Sequence, residues 1–185
     1  MVQAAVDAEI PLFQLREKSL PARVLYELTV GAVEITRGSK TRLLINDRSD
    51  IARAAGADGV HLTAHSLPAG IVRTIYGPEF LIGVSTHSLR EAEEARKTGA
   101  DFVVFGPVFE TESKRGFGEP QGVNKLREVT RALGEFSVVA IGGITLENVA
   151  GCFAAGASGI AAIRLLNDEV KMASAVDRIR SRFTR

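Results

Sequence analysis

The chain has 185 residues, 45% of them hydrophobic and 24% charged, with a formal net charge of +1. This is ordinary globular composition, long enough for a sizeable core, and it provides no field suited to nucleic acid or a membrane surface. The lone Cys152 excludes a disulfide framework and a cysteine-based zinc site, and no apolar run approaches a membrane span.

The first residues, Met1 to Asp7, carry an acid and no basic stretch, unlike a signal peptide. A reducing cytoplasm is the expected setting. Val2, Ala5 and Val6 share a face, as at the end of a helix. Residues 11–16 read as a strand whose polar tip continues through Glu17 and Lys18. Ser19 and Pro21 open a helix in which Val24, Leu25, Leu28, Ala32 and Ile35 recur at helical spacing. Residues 42–47 form the next strand, and Ser49 or Asp50 is placed to cap a short helix ending at Gly56. Strands at 59–62 and 80–85 enclose a helix over 67–75. Ser88 and Glu91 are spaced as a capping box for a helix ending at Gly99. Residues 101–106 are an apolar strand, followed by an irregular stretch from Pro107 to Gly122. A helix near 124–133 leads to a strand over 136–141, a glycine turn, a helical pattern from Thr145, a strand over 158–164 and a final helix over 168–180. Cys152, beside Phe153, reads as core.

Near-continuous apolar strands alternating with helices indicate a parallel sheet covered by helices. The phrases Ala54–Val60 and Ala154–Ile160 nearly repeat each other, and Lys97–Val103 is a third variant. Each is a helix end, a glycine stop and a new strand. Repetition of one βα unit fits a TIM-type (β/α)8 barrel better than an open Rossmann sheet. Seven strands are counted, so the expectation is a single domain over 1–185 that lacks the first strand of such a barrel. Its exposed edges would then be either gapped or covered by another chain, which predicts a homo-oligomer.

In such a barrel, functional groups collect at the C-terminal ends of the strands. There the sequence offers Gln14, Arg16 and Lys18 on one side of the first strand, then Asn46–Asp47, His61, Ser85, Thr111 to Lys114, Gly142–Gly143 and Ile163–Arg164. Arg16, Lys18 and Lys114 form a cationic pocket on a nearly neutral protein, which suits a phosphate or diphosphate. Asp47 among them is either a helix-start residue or a ligand for Mg²⁺ on a diphosphate. The turn Gly142–Gly143 lets an anion approach backbone amides. Lys114 and Arg115 lie in a glycine-rich loop of the kind that closes over ligands. His61 and His87 read as structural, and His65 as an ordinary loop histidine or an acid/base.

Six segments recur in a familiar order: Gln14-Leu15-Arg16-Glu17-Lys18, Leu44-Ile45-Asn46-Asp47-Arg48, Gly56-Ala57-Asp58-Gly59-Val60-His61-Leu62, Gly83-Val84-Ser85-Thr86-His87-Ser88-Leu89, Phe105-Gly106-Pro107-Val108-Phe109 and Val139-Ala140-Ile141-Gly142-Gly143-Ile144-Thr145. Together they resemble the thiamine phosphate synthase and TenI (thiazole tautomerase) superfamily over nearly the whole chain. The resemblance implies a transferase that couples a hydroxymethylpyrimidine diphosphate to thiazole phosphate with release of pyrophosphate. It implies that Gln14, Arg16, Lys18 and Asn46 meet the pyrimidine diphosphate, that Asp47 is a Mg²⁺ ligand, and that Ser85 and Lys114 meet the diphosphate side. Thr111, Ser113, Gly143 and the Ile163–Arg164 backbone would hold the thiazole phosphate. The implied chemistry is dissociative: diphosphate leaves and the thiazole nitrogen captures the pyrimidine cation.

The chain departs from the pattern at three places. Ser66 stands where synthases carry the second Mg²⁺-binding Asp. Arg164 replaces a small Ser, either adding a phosphate contact or filling the pocket. The loop from Phe109 to Gly116 is closer to TenI, yet Pro107 replaces the TenI catalytic His. A TenI-like thiazole phosphate protein and a non-catalytic regulatory homologue are therefore the alternative expectations.

Overall fold

The computed structural model describes residues 1–111 and 119–183. Seven parallel strands form one curled sheet in chain order: β1 (Leu12–Leu15), β2 (Arg42–Asn46), β3 (Gly59–Leu62), β4 (Leu81–Thr86), β5 (Phe102–Phe105), β6 (Ser137–Ile141) and β7 (Gly159–Ala161). Eight helices are interleaved among the described residues: α1 (Val2–Asp7), α2 (Ala22–Thr36), α3 (Ser49–Ala55), α4 (Ala69–Tyr76), α5 (Leu89–Lys97), α6 (Gly122–Leu133), α7 (Val149–Ala154) and α8 (Glu169–Phe183). This is the expected α/β barrel architecture with β1 and β7 as its two edges.

Period-two alternation divides each strand between two environments. Outward residues Leu43, Ile45, Val60, Leu62 and Ile82 pack under α2, α3 and α4. Val103, Phe105, Val138 and Ala140 do the same under α5, α6 and α7. Inward residues Leu44, Phe102 and Val104 meet Leu12, Leu81, Val139, Ile141 and Ala161 in a second apolar layer inside the curl. Gly83 is required there, because a Cβ on it would lie 2.3 Å from the Phe102 ring. At the seam, α1 and α8 join through Ala5, Ala8, Met172 and Val176 although β1 and β7 do not pair.

The repeated sequence phrase has a structural meaning. Gly56, Gly99 and Gly156 all adopt left-handed φ, from +79° to +94°, and end their helices. Two residues later, the Asp58 amide donates to Leu43 O and the Leu43 amide donates to Asp58 Oδ2, at 3.0 and 2.7 Å. Asp101 makes the same reciprocal pair with Ile82, at 2.8 and 2.7 Å. The Ser158 amide and hydroxyl both donate to Val138 O. Each repeat thus locks a new strand to its predecessor.

Several local expectations are corrected. In α2 the buried face is Leu25, Thr29, Ala32 and Thr36, while Val24, Leu28 and Ile35 are exposed. Two threonines can face the core because their hydroxyls donate to the helix's own carbonyls, Leu25 O and Val33 O. Neither Ser19, Ser49 nor Asp50 caps a helix; α2 starts after Pro21, and Ser49 lies inside α3. The capping box is displaced: Ser88 Oγ accepts the Glu91 amide, but Glu91 Oε2 accepts from His87 rather than Ser88. The helix expected from Thr145 begins only at Val149, because Asn148 folds back to accept the Thr145 amide and donate to Gly143 O. β7 stops at Ala161, which leaves Ile163 and Arg164 in the following loop. Cys152 is buried, as expected.

Candidate active site

The ends of β1 to β4 place one row of polar side chains at the mouth of the curl. Gln14 follows Leu12 on the inward side of β1, and Asn46 follows Leu44 on β2. Gln14 Nε2 donates to Asn46 Oδ1 at 3.0 Å. Asn46 pairs in register with His61, and His61 with Gly83, so the row continues across the sheet. His61 Nε2 lies 3.0 Å from Ser85 Oγ. His61 is only 7% exposed. Burial first, and then the nearby Arg16 charge, push its pKa down to about 4, so the ring is neutral.

Arg16 and Lys18 follow the end of β1 and are exposed, and the Arg16 charge acts on His61. Neither has a hydrogen bond or ion pair among the described residues. Asp47 follows β2 with φ +67°, a left-handed conformation uncommon outside glycine. Its amide donates to His61 O at 2.9 Å, while its carboxylate makes no side-chain hydrogen bond among the described residues. The neighbouring Arg48 is engaged with Asp50 through two bonds of 2.8 and 2.6 Å. That hydrogen bonding raises the Arg48 pKa and lowers that of Asp50. The mouth therefore presents two uncommitted cations, one uncommitted carboxylate and an ordered amide pair.

Ser66 is engaged within its own loop. Its hydroxyl accepts the Thr63 amide at 2.7 Å and sits 3.2 Å from Thr63 Oγ1, closing its own loop. No group of three His, Cys, Asp or Glu side chains that could hold a metal occurs among the described residues. His65 is exposed in the same loop. His87 Nδ1 meets Gly106 O, a structural role as expected.

On the other side, Gly142 and Gly143 have φ of +102° and +61°. A Cβ on Gly143 would lie 2.3 Å from Glu110 O, and one on Gly142 2.5 Å from the Pro107 ring. The Val108 and Phe109 amides donate to Ile141 O and Gly142 O at 2.8 and 3.0 Å. The glycine turn is thus clasped to the start of the long loop, which brings Thr111 toward the same end of the sheet. Ile163, 67% exposed, and Arg164 follow β7 at that end. Ser113 and Lys114 lie outside the described residues.

The sequence leads to the expectation that His61 packs or hydrogen-bonds at its strand end; the structure shows such a bond and adds the partner, Ser85. The signal was available: Gly59 and His61 alternate onto the same face, as do Gly83 and Ser85. What the sequence lacks is the β3–β4 register that sets His61 beside Gly83, two residues before Ser85.

Comparison with known proteins identifies the family of the chain. A family model described as thiamine monophosphate synthase matches residues 1–166. The thiamine-phosphate synthase of Moorella thermoacetica is 41% identical over 185 residues, covering 100% of this chain and 88% of the relative. That of Methanoculleus marisnigri is 45% identical over 172 residues, covering 93% and 81%. The solved structure of thiamine phosphate pyrophosphorylase from Pyrococcus furiosus superposes with a TM-score of 0.85 at 32% identity, covering 97% of this chain and 86% of that one. The chain belongs to the thiamine monophosphate synthase family.

Proposed function

We propose that this protein is a thiamine-phosphate synthase, a transferase that joins a pyrimidine diphosphate to thiazole phosphate and releases pyrophosphate. The single observation that carries the reading at the site is the amide pair beside two uncommitted cations. With Gln14 Nε2 committed to Asn46 Oδ1, the pair offers the Asn46 NH₂ as a donor and Gln14 Oε1 as an acceptor. That is the complement of an aminopyrimidine edge, on the same logic by which Asn and Gln read adenine. Arg16 and Lys18 then receive the diphosphate, with Ser85 beside them and Lys114 from the loop. Gly143, Thr111, Ser113 and the Ile163–Arg164 segment hold the thiazole phosphate opposite.

In this reading Arg16, Lys18 and Lys114 stabilise the charge that develops as diphosphate departs. The amide pair keeps the pyrimidine methylene aimed at the thiazole nitrogen. Mg²⁺ fits the residues present: such ions are commonly held by one or two carboxylates with substrate phosphates. Asp47 would hold it together with the diphosphate oxygens, and it would neutralise leaving-group charge. The reading takes residues 1–185 as one domain working in the cytoplasm. The unpaired edges of β1 and β7 support association into a homo-oligomer.

A second reading is a TenI-like or regulatory thiazole phosphate protein. The engagement of Ser66 within its own loop favours it. One assay separates the two. Purified protein is incubated with the pyrimidine diphosphate, thiazole phosphate and Mg²⁺, and pyrophosphate and thiamine phosphate are quantified. Equimolar appearance of both is expected. Absence of both, with thiazole phosphate still bound in calorimetry, would overturn the synthase reading in favour of the second.

A further inference from the structure

Among the described residues the His61 ring has one hydrogen-bond partner, Ser85, at 3.0 Å between Nε2 and Oγ. A neutral imidazole carries one N–H and one lone pair, and a serine hydroxyl carries one donor and two lone pairs. Two arrangements satisfy that contact. In the first, Nδ1 holds the proton and Ser85 donates to Nε2. The Nδ1–H group then has no acceptor among the described residues, and Ser85 has only lone pairs left for a ligand. In the second, Nε2–H donates to Ser85 Oγ, and Nδ1 keeps a lone pair in the field of Arg16. The Ser85 proton is then free. Nδ1 lacks a protein partner among the described residues in both arrangements, so the surroundings separate them: the second frees a hydroxyl proton at a mouth whose uncommitted Arg16 and Lys18 call for an anion.

We propose that His61 is a positioning residue: its Nε2–H donates to Ser85 Oγ and so turns the Ser85 hydroxyl proton toward the diphosphate of the bound substrate. The role of Ser85 toward a diphosphate, and with it the choice of tautomer, rests on the proposed function; the contact that couples the two residues does not. Packing supports the fixed geometry. His61 is nearly fully buried, and its register neighbour Gly83 has no side chain to separate it from Ser85.

Two measurements test this on the intact protein. Long-range ¹H–¹⁵N correlation at neutral pH, with His61 assigned by its loss in His61→Gln, is expected to show the Nε2–H tautomer; the Nδ1–H pattern would overturn the proposal. Calorimetric titration with inorganic pyrophosphate in Mg²⁺ buffer is expected to show His61→Phe weakening binding about tenfold, within the range for one hydrogen bond to a charged group. Ser85→Ala should weaken it similarly, and the double variant should bind no worse than Ser85→Ala alone. His61→Gln, which keeps an N–H donor, should recover most of the loss. Additive effects, or equal loss in His61→Gln and His61→Phe with unchanged melting temperature, would overturn it. Failure of the synthase assay with these couplings intact would count against the substrate assignment alone.

Discussion

Gln14 Nε2 donates to Asn46 Oδ1 at 3.0 Å, and this one bond orients two amides from adjacent strands. It converts two residues that could each flip into a fixed donor–acceptor pair at the mouth of the sheet. Replacing Asn46 by Leu removes the donor side and releases Gln14. The expected result is a rise in KM for the pyrimidine diphosphate of roughly 10–100-fold, matching about 1–3 kcal/mol for a bidentate base contact. KM for thiazole phosphate should stay within about twofold and the melting temperature should barely move. Steady-state kinetics with each substrate varied checks this, and an equal effect on both substrates would sink the assignment.

The glycine turn makes a different demand. Gly143 combines φ +61° with a Cβ position 2.3 Å from Glu110 O, whereas Gly38, at φ +75°, faces open space. Gly143→Ala should therefore cost more than the roughly 1–3 kcal/mol of backbone strain alone. Gly38→Ala should cost only that strain. Urea denaturation of the two variants compares them directly. Gly143→Ala should also lose affinity for thiazole phosphate, since Gly143 and the Pro107–Glu110 segment must part to admit the methyl.

Arg73 supports the middle of the sheet from outside. Its guanidinium donates to Gly77 O, Pro78 O, Phe80 O and Gly99 O and to Asp101 Oδ2. Asp101 in turn accepts the Ile82 amide that locks β5 to β4. Removing the arginine strands several carbonyls and loosens that lock. Arg73→Met should destabilise by about 1–3 kcal/mol, as for leaving hydrogen-bond acceptors without their donor. Arg73→Lys should recover little, because one ammonium cannot span the fork. Thermal melts of both variants decide it; a loss under about 1 kcal/mol would show that water replaces these bonds freely.

The α2 register yields a paired test. Leu25 is 3% exposed and Leu28 is 44% exposed. Leu25→Ala should cost about 2–5 kcal/mol. Leu28→Gln should stay within about 0.5 kcal/mol, as for an ordinary surface change. Denaturation midpoints read both. Comparable losses at both positions would restore the face inferred from helical spacing, which held Leu25 and Leu28 together.

Burial pushes the Cys152 thiol from 9.0 up to about 11. The folded protein should be inert to Ellman's reagent at pH 8 and should react with one equivalent in urea. The sign for stability follows from linkage. Above pH 9.0 the unfolded chain releases the thiol proton while the folded chain keeps it until about pH 11. Stability therefore falls across that window, by up to about 1.4 kcal/mol per pH unit from this group. The fall should be shallower in Cys152→Ala.

Much of this protein was legible in its sequence. Apolar runs bounded by glycines placed all seven strands, because period-two burial and left-handed helix stops are local properties. The repeated Ala-Gly-Ala phrase indicated a βα barrel for the same reason. Alternation placed Gln14 on the inward side of β1, since side-chain direction in a strand is fixed by position alone, while Arg16 and Lys18 lie beyond the strand's end at Leu15. The tertiary structure decided what depends on neighbours distant in the chain. Which stripe of α2 is buried followed from threonine hydroxyls finding carbonyls, which lets polar residues displace apolar ones from the core face. The delayed start of α7 followed from Asn148 reaching back to Gly143. The partnership of His61 with Ser85 needed the β3–β4 register, and that of Gln14 with Asn46 the β1–β2 register. Local pattern names the residues that can face a site; only the pairing of strands brings them within 3.0 Å of each other.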